Sequence, residues 1–307
     1  MTPAPPAYPL VYIVLVNWNG WRDTDACLAS LKALDYPNAR VVVVDNASTD
    51  GSVAELQRRH PDLTLLPSGA NLGFAGGNNV GLRYALEQGA DYVWLLNNDT
   101  LVEPDALTHL VARAQAGAAG LPVGLCGSTL IYESRRDTVQ ALGGARYNRW
   151  WGTVAHIGRH RPRELPIDAA AVERQLDYLI GASMLVSRPF LETIGLMQED
   201  YFLYFEELDW AVRARGRFAL AYAPQSVVYH KEGASIGGND RARAAKSFTA
   251  DRYALQNRVR FTRRFYPYAL PTVYLGLGVA LINRVRRRQW DRVGLIARIL
   301  LRGGEIV

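Results

Sequence analysis

Four short polar segments interrupt this chain, each directly after a run of apolar, largely β-branched residues. Asn17-Trp18-Asn19-Gly20 follows Leu10–Val16, and Asp45-Asn46-Ala47-Ser48-Thr49-Asp50-Gly51 follows Val41–Val44. Asn71-Leu72-Gly73-Phe74-Ala75-Gly76-Gly77-Asn78-Asn79 comes after Leu63–Leu66, and Asn97-Asn98-Asp99-Thr100 after Tyr92–Leu96. Continuous apolar runs of this kind suit strands buried on both faces. Between them lie candidate helices: Asp23–Leu34, Ser52–Arg59, Asn78–Gln88 and Pro104–Gln115. In the first, Cys27, Leu28, Leu31 and Leu34 recur at helical spacing; the last has proline near its start, where a missing amide is tolerated. Strand and helix in alternation predict an α/β fold, a Rossmann-like, mostly parallel sheet flanked by helices. Ligands of such sheets bind beyond the carboxyl ends of the strands. The four segments therefore predict one polar site at one sheet edge, suited to a ligand carrying phosphate.

Further along, the pattern loosens. Val123–Tyr132 reads as a strand, whereas Glu133–Asp177, rich in Arg, Trp and Gly, has no sustained period and reads as an irregular excursion over the site. Tyr178–Ser187 reads as a strand containing Gly181, and Arg188–Ile194 as a short helix. Leu208–Arg215 reads as a helix opened by Glu206, Glu207 and Asp209, and Val227–Tyr229 as a last short strand delivering His230. From about Ile236 the chain turns basic and helical. Residues 8–235 thus form one α/β unit, divisible at about residue 120, and residues 236–307 a tail.

The net charge of +6 resides in that tail: between Arg241 and Arg302 the only acids are Asp251 and Asp291. An anionic partner is implied there, lipid or nucleic acid. Ala269–Ile282 is apolar and flanked by Arg263-Arg264 and Arg284-Val285-Arg286-Arg287-Arg288, with Tyr266, Tyr268, Tyr274 and Trp290 nearby. Its 14 residues are shorter than a usual span, and the flanking residues favour a membrane interface, with a core or dimer helix and then a true span as the alternatives; the apolar stretch favours lipid over nucleic acid. The two cysteines, Cys27 and Cys126, sit in apolar stretches and read as buried thiols. Met1–Pro6 carries no basic residue ahead of an apolar run, so no secretory signal is read there and the expected compartment is the cytoplasm.

Neither a P-loop nor a dinucleotide fingerprint is present, since Gly73, Gly76 and Gly77 have the wrong spacing. A divalent ion is the substitute for holding phosphates. Asp99 is the best-placed carboxylate for it, and a plain helix-capping role is the alternative. Asp45 fits either a nucleotide contact or a turn. Asn71, Asn78 and Asn79 suit ribose or their own turns, and Trp18 a stacked base or a half-buried packing role. The close-set carboxylates Glu206, Glu207 and Asp209 repel one another, which raises at least one pKa and suits a general base; the alternative is a solvated helix start. His230 suits a third metal ligand or a structural role.

Taken in order, these segments resemble inverting family 2 glycosyltransferases of GT-A fold, in their bacterial rhamnosyltransferase-like branch. The likeness rests on Val-Asn-Trp-Asn-Gly at 16–20, the segments at 44–52, 71–79 and 95–100, Phe-Glu-Glu-Leu-Asp-Trp at 205–210 and Val-Tyr-His at 228–230, and covers roughly residues 8–235. The resemblance implies that Asp45 holds a pyrimidine base with Asn17, Trp18 and Asn19 beside it. It implies that Asn71, Gly73 and Asn78 line the nucleotide. Asn97-Asn98-Asp99 takes the place of the Asp-x-Asp motif, so Asp99 and His230 would bind Mg²⁺ or Mn²⁺ with one anionic ligand fewer. Glu207 takes the position of the catalytic Asp, with Glu206 and Asp209 as alternatives. The expected partners are a nucleoside-diphosphate sugar, dTDP-rhamnose first, and a polyprenyl-linked saccharide acceptor at the inner face of a bacterial membrane. The competing reading is an inactive nucleotide-binding scaffold, against which Asp99, Glu207 and His230 are all in place. A nucleotidyltransferase would need a basic, glycine-rich segment near Val11–Asn19, which is absent.

Overall fold

β1 (Val11–Asn17) shows why the first half folds as it does. Its residues alternate between two buried faces. Val11, Ile13 and Leu15 pack with Cys27, Leu28 and Leu31 of α1 (Trp21–Leu31), while Tyr12 and Val14 pack with Ala75, Leu82 and Ala85 of α3 (Gly73–Glu87). Each such side chain contributes roughly 1.5–3 kcal/mol by leaving water. α3 lies very close to the strand, because a Cβ at Gly77 would stand 2.8 Å from Val16 Cγ1 and one at Gly81 2.4 Å from Val14 Cγ1.

A computed structural model of the chain describes residues 8–118, 120–231 and 247–302. Met1–Pro6, Ile236, Arg241, Arg243 and Lys246, which entered the reading of the termini and of the tail, lie outside the described residues.

β1 runs parallel to β2 (Ala39–Asp45) and β4 (Tyr92–Leu96), and β3 (Thr64–Pro67) extends the parallel half. α2 (Ser52–Arg59) lies between β2 and β3 in the chain. The sheet continues through β11 (Ser183–Ser187), antiparallel to both β4 and β6 (Val123–Tyr132). β12 (Ala219–His230) runs parallel to β6, and β5 (Thr100–Val102) closes the order β3-β2-β1-β4-β11-β6-β12-β5, with β7 (Arg135–Leu142) paired to β6. Two registers matter. Asn17 lies opposite Asp45, and His230 opposite Thr100, so the polar segments after β1, β2 and β4 meet the end of β12 at one edge.

Several expectations need correction. The stretch 133–177 is not irregular: it carries β7, β8 (Gly144–Asn148), β9 (Thr153–His156) and α5 (Ala169–Glu173). β8 and β9 pair with β10 (Tyr178–Leu179) in a small second sheet. These strands are too short to show a period, and their partners are distant in sequence. Tyr178–Ser187 is consequently not one strand but two, β10 and β11, in different sheets. β12 begins at Ala219 rather than Val227; its register shifts between Ala223 and Val227 around Pro224, and that bulge disguised the first half. α3 starts at Gly73, five residues before the expected Asn78, because glycines that read as a loop are there for close packing. α7 (Glu206–Ala214) starts at Glu206, so both glutamates stand in its first turn.

α4 (Ala106–Gln115) and α6 (Arg188–Ile194) follow expectation. The described tail is three helices, α8 (Phe248–Phe265), α9 (Leu270–Arg286) and α10 (Trp290–Leu301). Val259, Val273, Leu277, Leu295, Ile296 and Ile299 bind them together, and the buried Asp251 carboxylate pairs with Arg284 at 3.0 Å and with Arg292. α8 also enters the body of the protein, where Phe261 packs with Tyr147, Tyr178, Tyr201 and Leu208. Cys27 and Cys126 are buried free thiols.

Candidate active site

The loops after β1 and β2 are built as one hydrogen-bonded unit. Asn17 Nδ2 donates to Asp45 Oδ1 and to Ser48 Oγ, both at 3.0 Å, while Ser48 N–H donates to Asp45 Oδ2 at 3.0 Å. Thr24 Oγ1 donates to Asn17 Oδ1 at 2.8 Å and accepts from Asn98 Nδ2 at 2.9 Å. Asn17 and Asn98, expected as direct nucleotide contacts, are therefore buried beneath the loops, with amides committed to shaping them. Asn19, with φ 52°, bridges the same loops, donating its N–H to Ser48 Oγ at 2.9 Å and accepting from Thr49 N–H at 2.7 Å. Trp18 stands 41% exposed at the mouth, where its ring is available for stacking.

Asn46, which the sequence reading passed over, staples the third loop to the second. Its Nδ2 donates to Asn71 Oδ1 (3.1 Å) and Gly73 O (3.0 Å), and its Oδ1 accepts from Leu72 N–H at 3.0 Å. Gly73 has φ +69°, and a Cβ there would lie 2.3 Å from Phe202 O. Its role is close approach of two backbones. Asn78 Nδ2 bonds back to Phe74 O at 2.9 Å within α3, and Asn79 reaches Met197 and Glu199.

At the end of β4, Asp99 is almost fully buried, and its Oδ1 lies 3.3 Å from His230 Nε2 without a hydrogen bond of normal geometry. His230 Nδ1 is 2.9 Å from the buried Gln140 Oε1, and Asn97 Nδ2 is 3.3 Å from Nε2. Gln140 Oε1 can only accept, which places a ring proton on Nδ1, while Nε2 faces both Asn97 Nδ2 and Asp99 Oδ1; a ring protonated at both nitrogens pairs with the carboxylate. Burial pushes the Asp99 carboxyl up, but His230 and then Lys231 hold it below its ordinary range. Asp99 and His230 are two side chains of metal-ligand type held side by side; among the described residues no group of three or more His, Cys, Asp or Glu could hold an ion alone, so an ion here would need oxygen ligands from its substrate or water.

The carboxylates that open α7 divide sharply by environment. Asp209 is fully buried and held by Arg213 at 2.6 Å, Arg264 at 3.1 Å and the Tyr201 hydroxyl at 3.1 Å. That corrects its candidacy as a base, because both oxygens are already neutralised. Glu206 is 1% exposed, and burial first, then the charge of Glu207, push its pKa well above the carboxylate range, so it stays protonated. Glu207 retains part of its surface and accepts from Gly181 N–H at 3.2 Å; burial pushes its pKa up to about 7. Gly181 is the joint between the centres. A Cβ there would stand 2.6 Å from Glu207 Oε1 and 2.7 Å from Phe74 Cζ, and the neighbouring Ala182 O accepts from Asn97 N–H at 3.0 Å. Glu207, Phe74 and the Asp99 segment thus meet at one turn.

Residues 12–161 match the model described as Glycosyl transferase family 2. The chain is similar to N-acetylglucosaminyl-diphospho-decaprenol L-rhamnosyltransferase of Mycobacterium tuberculosis, 27% identical over 269 residues, 79% of this chain and 84% of that protein. Residues 12–161 therefore form a domain of glycosyltransferase family 2. The dTDP-rhamnosyl transferase RfbF of Shigella flexneri is 23% identical over 208 residues, 66% of this chain and 62% of that protein. The solved mannosyltransferase of Pyrobaculum calidifontis, in complex with GDP-Man and Mn²⁺, superposes with a TM-score of 0.59 at 19% identity, over 98% of this chain and 89% of that one. The fold of this glycosyltransferase is GT-A, and proteins named rhamnosyltransferases are among its relatives.

In this glycosyltransferase, three supporting residues escaped the sequence reading for different reasons. Asn46 lies inside the 44–52 segment, beside Asp45, and that adjacency was its signal. Gly181 stood in an apparent strand, where a glycine marks close backbone approach. Gln140 lay in the stretch without a period and carried no signal at all.

Proposed function

We propose that this glycosyltransferase moves a sugar, rhamnose from dTDP-rhamnose first, onto a polyprenyl-diphosphate-linked saccharide with inversion of configuration. The observation that carries this is Glu207: a partly exposed, proton-hungry carboxylate fixed on Gly181, one turn from the Asp99 and His230 pair. In the proposed reaction residues 8–120 hold the donor and residues 121–235 the acceptor. Glu207 Oε takes the proton from an acceptor hydroxyl as that oxygen bonds to the anomeric carbon. The bond from that carbon to the diphosphate breaks on the opposite face, and its electron pair leaves with the nucleoside diphosphate. Asp99 and His230 would hold Mg²⁺ or Mn²⁺, which when bound offsets the diphosphate charge. The names of the two rhamnosyltransferase relatives support the donor, and the decaprenol in one of them supports the acceptor and a place in bacterial cell-wall or surface-polysaccharide synthesis.

Thermal shifts with a panel of nucleotide sugars, each with Mg²⁺, Mn²⁺ or chelator, test the donor. At 100 times its Kd a donor stabilises the fold by about 2.7 kcal/mol. A shift of several degrees with dTDP-rhamnose, lost in chelator, is the expected result. No shift with any donor would favour the scaffold reading, or a donor site assembled only on the membrane.

The workplace in this proposal is the cytoplasmic face of the membrane. Leu275, Val279, Ile282 and Val285 of α9 are exposed, as are Tyr268 and Trp290, beside Arg284 and Arg286 to Arg288. Pro267–Arg286 is apolar enough and long enough to cross a membrane, and only 17% of its most apolar window is buried. Trp150 and Trp151 extend this surface, since the Trp150 ring meets Tyr268 at 5.4 Å between centroids and Thr272 Oγ1 donates to Trp150 O. The protein is expected to float with phosphatidylglycerol vesicles, and a Leu275→Glu, Val279→Glu variant to remain in the soluble fraction. Equal flotation of both, or binding to DNA in place of vesicles, would remove the membrane from the proposal.

A further inference from the structure

The turn that delivers Glu207 is held in an unfavourable backbone conformation from outside itself. Phe202, Tyr204 and Phe205 have φ of 61°, 66° and 79°, a region that non-glycine residues seldom occupy. Three such residues within four positions need external restraint. On one side Phe74 N–H donates to Phe202 O at 2.7 Å. On the other side stands α8. Asn257 Nδ2 lies 2.7 Å from Tyr201 O, 2.8 Å from Leu203 O and 3.1 Å from Tyr204 O. Three carbonyls can only be met by the amide nitrogen, so the orientation of this fully buried side chain is fixed by its surroundings. One turn earlier, Tyr253 stacks on Phe202 with centroids 4.7 Å apart.

We propose that Asn257 is a positioning residue for transfer, setting the dihedral angles of the 201–205 turn and through them the place of Glu207 against Gly181. The proposal rests on the reading of Glu207 as the base. Phe205 is the residue immediately before α7, and its carbonyl accepts from Asp209 N–H at 2.8 Å, so any rotation in the turn becomes a rotation of the helix start. Without the two protons of the Asn257 amide, the carbonyls of Tyr201, Leu203 and Tyr204 lose the donor they share, only Tyr201 O keeping Leu203 N–H, and the turn relaxes toward ordinary dihedral angles to find others. Glu207 then leaves its bond to Gly181. The loops built on Asn17 and Ser48 do not touch the turn and keep their shape, so on the donor side only the Gly73–Phe74 step, which meets Phe202 O, feels the change. The basic helical segment that begins with α8 is in this view part of the catalytic machinery as well as a membrane attachment.

The test uses the full chain with dTDP-rhamnose as donor and decaprenyl-diphosphate N-acetylglucosamine as acceptor. Asn257→Ala is expected to lower kcat by about 10²-fold, the scale of a displacement of about 1 Å in a catalytic group, with the KM for donor changed less than about threefold. Asn257→Ser, which keeps a shorter donor, should fall between and serves if the alanine variant does not fold. Val273→Ala, a cavity in the α8–α9 packing far from the turn, should lower the melting temperature and leave kcat unchanged. Hydrogen exchange should accelerate in residues 201–209 of the Asn257 variants and not in Val273→Ala. Glu207→Gln is assayed alongside. If Glu207→Gln retains turnover, the base assignment falls, and this proposal with it. If Glu207→Gln is inactive while the Asn257 variants keep kcat, or lose it only in proportion to lost stability as Val273→Ala does, the positioning role alone is overturned.

Discussion

Glu207→Gln is expected to lower turnover by about 10² to 10⁴ and, above neutral pH, to raise the melting temperature. Both effects come from one placement. The variant amide keeps an oxygen to accept from Gly181 N–H, now at 3.2 Å, so the turn and Phe74 stay where they are. It loses the lone pair that receives the proton of the acceptor hydroxyl. Burial pushes the Glu207 carboxyl up from its ordinary 4.5 to about 7. A folded-state pKa above the unfolded one means that the native protein binds the proton more tightly. The associated stability is therefore complete below about pH 4.5 and is lost as the pH rises through about 7. At pH 8 the desolvated carboxylate costs on the order of 2 kcal/mol, which a neutral amide avoids. For a chain of this size that corresponds to several degrees in Tm. Near pH 4, below the ordinary carboxylate pKa, wild type and variant should melt together. Turnover of the wild type should rise with pH around a midpoint near 7, as the base ionises. A variant with near-full turnover, or one melting below wild type at pH 8, would remove Glu207 from the role of base.

That a functional residue destabilises its own fold explains why it could be suspected from sequence but not singled out there. Three acids in four residues announced that at least one would be perturbed; composition could not say which. The answer depends on partners 50 or more residues away or on another element: Arg264 on α8 neutralises Asp209, and Gly181 between β10 and β11 receives Glu207. The nucleotide half was legible for the opposite reason. Its contacts run between segments at the ends of adjacent parallel strands, so the order of apolar run, polar segment and helix already placed Asn17 and Asp45 at one sheet edge, where the register sets them opposite each other. Even there the sequence did not separate residues that face a ligand from those that shape the loop. Asn17, Asn98 and Trp18 look alike as polar or aromatic loop residues, and only burial divides them, with Trp18 outside and both amides within. The small sheet β10-β8-β9 and the long bulged β12 were illegible because their pairing is non-local, and Pro224 interrupts the pattern. The tail was legible as charge and helix. Its insertion through Phe261 and Asn257 into the catalytic half was not, since neither residue stands out among the arginines around it.

Asp99→Asn is expected to abolish the metal-dependent part of donor binding and to cost about 10² to 10³ in turnover, the scale on which a single electrostatic stabiliser of the departing group counts. The expectation rests on how little anionic charge the segment has to spare. Asn97 and Asn98 are neutral, and Asn98 is committed to Thr24, so Asp99 is the one carboxylate of the 97–99 segment. Its Oδ1 is buried with His230 Nε2 at 3.3 Å, and Gln140 behind the ring holds the imidazole in place. Replacing that carboxylate by an amide leaves only neutral groups and the imidazole facing a doubly negative diphosphate and its counter-ion. The fold should tolerate the change because the amide is isosteric, although it gives up the attraction of His230 and Lys231 for the carboxylate. The measurement is a Mn²⁺ titration of the dTDP-rhamnose thermal shift. Wild type should show a shift that grows with the ion, and Asp99→Asn only the ion-independent remainder. Asn97→Asp is the converse variant. It places a second carboxylate on the same segment, beside His230, and should move the Mn²⁺ midpoint to lower concentration. If Asp99→Asn retains the full ion-dependent shift, the ion is held elsewhere and the pairing of Asp99 with His230 is a structural ion pair. If only Asn97→Asp fails to tighten binding, Asp99 keeps its role and position 97 is too far committed to His230 to supply a ligand.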